Sequence, residues 1–286
     1  MDELRYVPDS GSEIRLAYRY GYACSLDGGS GTEVALSTSQ GFGQTGVSVD
    51  AMAVKGRTMS VRGYVLHSWQ TAKAALAAAF RPLSEGVLWW NDEKWIRVCV
   101  KKSPVLTNEV TARFVLTLFA PYPFWQGKTQ NKGTIGVTVP SFHFPVNYAT
   151  PHIFGVTNHD AFVNMVNSGN IDAPIRIDIT AVATTVTNPS IVNISSGERT
   201  TFNKVMAANS TIRMYTSNGK LYIRYVTDSG TSNIFDALDD SSDLFALHPG
   251  DNMIKAEADA NASAMAVTVS YYDIYEGVWF DGAFED

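Results

Sequence analysis

Apolar residues in this chain recur at every second position, in stretch after stretch. Ile14, Leu16 and Tyr18 alternate with Arg15, Ala17 and Arg19; Met59, Val61, Gly63 and Val65 form a second run, and Val110, Ala112, Phe114, Leu116 and Leu118 a third. Ile175, Ile177 and Ile179 alternate with Arg176, Asp178 and Thr180, Ile212 and Met214 with Arg213 and Tyr215, and Met265, Val267, Val269 and Tyr271 close the series. Successive side chains of a strand point to opposite faces, so this pattern marks strands with one face in a core and the other in water. The chain is therefore expected to be mostly β. One segment changes period: after Ser68, a plausible N-cap, Trp69, Ala72, Leu76, Ala79 and Phe80 recur at three- and four-residue steps until Arg81-Pro82. That spacing predicts a single α-helix over about residues 68–81.

Val87 to Trp90 and Trp95 to Lys101 flank Asn91-Asp92-Glu93-Lys94 and read as a β-hairpin. The Gly-rich stretch Gly28 to Gly46 reads as loop before Val47, Val49 and Ala51 resume alternation. At 286 residues the chain exceeds the usual reach of one core, and the polar, aperiodic stretch Gln126 to Gly136 is the natural boundary. The expected division is 1–128, a β-sandwich domain with the helix and the hairpin, and 129–286, a second β-sandwich or jelly roll.

Few chemistries fit. A net charge of -6 with no dense block of Lys or Arg argues against direct nucleic-acid binding. Cys24 and Cys99 stand alone, giving neither a disulfide framework nor zinc spacing, so folding in a reducing cytoplasm is expected. The first twenty residues show no secretory pattern, and no apolar run is long enough to span a membrane. His67, His143, His152, His159 and His248 share no ligand spacing. His152 and His159 with Asp160 are the nearest approach to a metal set, and solvated loop histidines are the better reading. Asp236, Asp239, Asp240 and Asp243 lack the ligand pattern of a calcium loop and read as a solvated turn. No GxSxG, P-loop or GxGxxG is present, so no catalytic residue, metal or cofactor is assigned and the chain is expected not to be an enzyme.

Aromatics offer two candidate surfaces. Trp89, Trp90 and Trp95 lie on one hairpin; Trp89 and Trp90 are adjacent, so they must face opposite ways, and one needs a cover supplied by the helix or by another protein. Tyr215, Tyr222 and Tyr225 lie in strands where solvent-facing rings could hold a sugar, though core or edge packing serves them equally well.

The order of features resembles a known family. A strand pair from Val47 through Val65, the helix, Leu83-Ser84-Glu85-Gly86-Val87-Leu88, Lys94-Trp95-Ile96-Arg97-Val98, and Phe114 to Phe124 with Ala120-Pro121-Tyr122-Pro123 resemble the N-terminal domain of siphophage distal tail proteins. Asn167 to Pro174, Asn188-Pro189-Ser190-Ile191, Leu247 to Asn252 and Tyr272 to Val278 resemble that family's C-terminal galectin-like sandwich. The resemblance implies a virion tail-tip protein, assembled in the bacterial host cytoplasm, whose N-terminal domains close a hexameric ring. It further implies contact with the tail tube protein above and the tail-associated lysin or central fibre below, with receptor-binding proteins held by some members. No large carbohydrate-binding insert is evident. A lectin-like adsorption protein using the C-terminal sandwich is the alternative.

Overall fold

The computed structural model describes residues 2–66, 69–107, 112–136, 138–140, 155–157, 162–217 and 220–278. By contacts the chain divides into two compact units, Met1–Lys128 with Ile274–Asp286, and Thr129–Asp273. The sequence reading carries the second domain through to residue 286; here the chain instead comes back to the first unit from Ile274.

In the first unit the strands are β1 (Leu4–Pro8), β2 (Ile14–Leu16), β3 (Tyr22–Asp27), β4 (Val34–Ser39), β5 (Ser48–Val54) and β6 (Arg57–Val65). Helix α1 (Trp69–Ala79) follows, then β7 (Glu85–Trp90), β8 (Lys94–Thr107), β9 (Arg113–Ala120) and the start of β10 (Trp125–Ile135). Antiparallel pairing runs β2-β1-β7-β8-β9-β6-β3. Register shifts at Val100/Lys102 and Lys102/Val105 bend β8, and its first part pairs with β7 and its later part with β9. The alternating residues do what their period demands: Leu4, Tyr6, Met59, Val61, Leu88, Ile96, Phe114, Leu116 and Leu118 all turn into one core. Helix α1, the one α-helix among the described residues, lays Ala72, Leu76 and Ala79 on that core, and Phe80 stacks on Tyr6 with centroids 4.5 Å apart. Eleven residues of helix are marginal alone, so this buried face is what stabilises it. Ser68, read as its cap, lies outside the described residues.

Two expectations are corrected. The segment read as loop contains β4, which pairs with β5 from Val34↔Val54 to Ser39↔Ser48. Glycines bracket it and no buried stripe marks it, so the pattern that betrays other strands is missing. Nor do β5 and β6 form the strand pair read across Val47 to Val65: β5 pairs only with β4, whereas β6 pairs with β3 and β9.

A buried cation ties this unit together. The Arg57 side chain is 3% exposed beside Glu276. Its guanidinium donates to the carbonyls of Pro123 (2.7 Å), Gly28 (3.1 Å) and Glu276 (2.5 Å) and to Thr32 Oγ1 (3.2 Å). Val278 N donates to Gly29 O at 3.0 Å, fixing the returning segment beside it.

Among its described residues the second unit consists of strands with two short 3-10 turns, Phe235–Ala237 and Ala262–Ala264. After β11 (Thr138–Pro140), which pairs with β12 (Gly155–Thr157), come β13 (Phe162–Asn167), β14 (Arg176–Ala181), β15 (Val186–Asn193), β16 (Arg199–Thr201) and β17 (Val205–Met206). Then follow β18 (Thr211–Ser217), β19 (Lys220–Thr227), β20 (Gly230–Asn233), β21 (Gly250–Ala260) and β22 (Met265–Tyr275). One antiparallel sheet runs β13-β21-β15-β16, with β17 also on β15; in the other, β22, β14, β18, β19 and β20 are successive neighbours. Met165, Val186, Ile191 and Ile254 are buried on the first, and Ile177, Ile179, Ile212, Met214, Ile223, Val267 and Val269 on the second.

Candidate functional site

No described residues converge as a reaction centre would require. A recess of about 390 Å³ is lined by Glu3, Ala17, Tyr18, Arg19, Asn91 and Asp92. Its carboxylates are already matched: Arg15 reaches Glu3 at 2.9 Å and Asp92 at 3.3 Å, Arg5 reaches Asp92 at 2.5 Å, and Arg19 also pairs with Glu3. Partial burial would raise the Asp92 carboxyl, but hydrogen bonds and charge from Arg5 and Arg15 hold it below its usual range. Among the described residues no three His, Cys, Asp or Glu gather as a metal set. Asp239 accepts from Ser241 N and from Asn203, which makes it the anchor of a turn. His67, His143, His152, His159 and Asp160 lie outside the described residues; His248 bridges Asp172 (3.0 Å) and Glu198 (3.4 Å). Cys24 is buried, which pushes its thiol up to about 12 and leaves it inert.

Three surfaces remain. The first is the tryptophan hairpin. Asn91 and Asp92, at φ 52° and 53°, supply the left-handed backbone a tight hairpin needs, and Asn and Asp tolerate it. Trp89 and Trp95 are direct cross-strand partners, 6.3 Å between centroids, on the face that Arg5 covers at 4.7 Å. Trp95 also donates its indole N–H to Gly127 O at 3.0 Å. Trp90 points the other way, against the core, with Lys94 over its ring and its buried Nε1 left without a partner. All three are half-buried within the unit, so the hairpin covers its own aromatics.

The second surface is the β4–β5 arm, which the sequence reading missed. Every residue of β5, and every residue of β4 but Ala35, is exposed. Register places Val34 opposite Val54 and Leu36 opposite Met52, so four large apolar side chains share one face, 45, 51, 58 and 73% exposed for Val34, Val54, Leu36 and Met52. The opposite face carries Ala35, Ala51 and Ala53. A lone two-stranded ribbon is marginal in water, and a row of this kind marks an interaction surface.

The third is the outer face of β14, β18 and β19. Tyr215 and Tyr222 are cross-strand partners with rings stacked 5.3 Å apart at 16°. Tyr225 does not join them. It stands three positions after Tyr222, an odd step, so it lies on the opposite face, where its hydroxyl accepts from Ala207 N at 2.8 Å under Lys204.

The comparisons follow the same line. Residues 168–275 match the family model described as siphovirus-type tail component, C-terminal domain. A solved structure of the SPP1 Dit protein, described as a paradigm of the hub adsorption apparatus in phages infecting Gram-positive bacteria, superposes with a TM-score of 0.62. It is 13% identical and covers 96% of this chain and 99% of its own. The phage p2 baseplate in its activated conformation with Sr gives 0.46 at 8% identity, covering 97% and 100%. No curated protein matches by sequence. The likeness to siphophage distal tail proteins is thus found both in sequence and in fold.

Proposed function

We propose, for a chain whose residues 168–275 match the siphovirus-type tail component model and whose fold is similar to that of a phage hub protein, that it builds a hexameric ring at the tail tip. In this reading it is a structural part of the virion, made in the bacterial host cytoplasm. It joins the tail tube protein to the tail-associated lysin or central fibre, and receptor-binding proteins dock at its periphery. The observation that carries the reading is the β4–β5 arm, whose apolar face is left exposed among the described residues. A ring needs two different patches per subunit, and an arm reaching onto the next copy supplies one of them. The tryptophan hairpin is a weaker candidate for the other, because Arg5 and Gly127 already satisfy Trp89 and Trp95.

Native mass spectrometry of the full chain, alone and with the tail tube protein, is expected to show six copies. Leu36→Asp with Met52→Asp is expected to leave a folded monomer, since apolar anchors of this size each contribute about 1–3 kcal/mol to an interface. Only monomers of the unmodified chain under both conditions would overturn the reading. A second reading, a lectin-like adsorption protein, draws on the Tyr215–Tyr222 face.

A further inference from the structure

The outer sheet face of the second unit differs in charge from the chain that carries it. The protein is acidic overall, at -6. Yet Arg176 on β14, Arg213 on β18, and Lys220 and Arg224 on β19 all lie on the face of Tyr215 and Tyr222, with Asp178 as the one carboxylate among them. Asp178 binds Arg213 at 2.5 Å and Arg176 at 3.0 Å. Arg224 and Lys220 form no ion pair with a described carboxylate.

The rings explain what such a face can hold. Tyr215 and Tyr222 stack on each other, and a guanidinium lies near each ring, Arg176 at 6.0 Å from the Tyr215 centroid and Arg224 at 5.4 Å from that of Tyr222. A neutral sugar, which docks by laying C–H groups on an aromatic face, meets here two rings already stacked on each other with cations beside them. The polar groups on this side are the two tyrosine hydroxyls, the terminal nitrogens of Arg176 and Arg224 and the hydroxyl of Ser217, while Thr180 and Thr211 bond each other at 2.9 Å. Guanidinium forks match planar carboxylates bidentately, and hydroxyls match sugar hydroxyls. A protein partner would also find tyrosine and arginine here, but with little aliphatic surface beside them, Val226 standing at the edge of the face, so a carboxylate polymer without sugar rings is the control that separates the two.

We propose that this face binds a polysaccharide whose sugar rings bear carboxylates. The proposal rests on the adsorption reading and is independent of ring closure, which mass measurement follows separately. The full chain is titrated by calorimetry with polygalacturonate, dextran, poly(glycerol phosphate) and polyglutamate. Polygalacturonate is expected to bind, with affinity falling as salt rises, and dextran not to bind. Arg176→Gln with Arg224→Gln is expected to weaken binding at least tenfold, whereas Arg62→Gln, an equal charge change per site in the other unit, leaves it unchanged. Tyr222→Phe keeps the stack and is expected to weaken binding less than the arginine pair. The proposal is overturned by no binding to polygalacturonate, by equal binding of dextran, by tighter binding of poly(glycerol phosphate) or polyglutamate, or by an unaffected double variant with intact circular dichroism.

Discussion

Asn167, Asn193 and Asn252 are almost wholly buried, and each binds backbone that no strand satisfies. Asn252 donates to the carbonyls of His248 (2.7 Å) and Gly250 (3.0 Å) and accepts from His248 N and Asn193 Nδ2, both at 3.1 Å. It is the pin that turns the chain into β21. Asn252→Ala strands those groups in the interior, so urea unfolding is expected to show a loss of about 1–3 kcal/mol. His248, at the rim of the same turn, has a pKa raised above its ordinary value by the Asp172 hydrogen bond, with Glu198 adding to it and burial opposing. A raised folded-state pKa means the stabilisation is full below about pH 6.5, the unfolded value, and is lost as pH climbs through the folded value. An NMR titration is expected to place His248 above 6.5, and Asp172→Asn to bring it down. Some of this was legible and some was not. Pro249-Gly250 announces a turn, but nothing in a sequence tells a buried asparagine from a solvated one. Parity, by contrast, was available: Tyr222 and Tyr225 are an odd number of residues apart and could never share a strand face.

Strands that bury one face announce themselves; among those that leave both faces exposed, β5 shows only the short alternation of Val49 and Ala51 and β4 reads as loop. This is why β6, β9, β14, β18 and β22 could be read from alternation while β4 could not, since its apolar residues are separated by Ala and Ser and no core selects them. Pairing is also hidden, because β3 and β6 meet through contacts distant in sequence. Close approach leaves one mark, in glycine. Gly86 in β7 faces Val7 O and Pro8 Cα, which an added Cβ would meet at 2.5 and 2.8 Å. Both are backbone atoms of β1 and neither can swing aside. Gly86→Ala is therefore expected to push β1 off β7 and cost about 1–3 kcal/mol, read as a lower midpoint in thermal unfolding. The tryptophan hairpin rides on β7, so native indole fluorescence is expected to change with it. Gly43→Ala, on a turn with open space around it, puts a Cβ at φ 76° and tests backbone strain alone.

At the scale of the molecule, the first unit is completed by residues that follow the second in sequence. Arg57 is the hinge of that dependence. Burial pulls its pKa down and the Glu276 carboxylate pulls it up, with burial prevailing, so the ion is held chiefly by four oxygens, three of them backbone carbonyls. The carboxylate stands 3.8 Å away, farther than the Glu276 carbonyl at 2.5 Å. Two substitutions separate these roles. Arg57→Leu leaves Pro123, Gly28 and Glu276 carbonyls without a donor and is expected to cost about 3 kcal/mol, near the lower end for breaking a buried charge cluster. Glu276→Gln keeps the carbonyl contact and removes only a charge 3.8 Å away, so it is expected to cost less than Arg57→Leu, on the order of 1 kcal/mol. Ending the chain after Asp273 removes both groups at once, and is expected to lower the unfolding midpoint of the first unit while amides of β14 and β18 keep their protection in hydrogen exchange. Equal losses for the two point variants would mean that the carboxylate, and not the returning backbone, holds Arg57 in place.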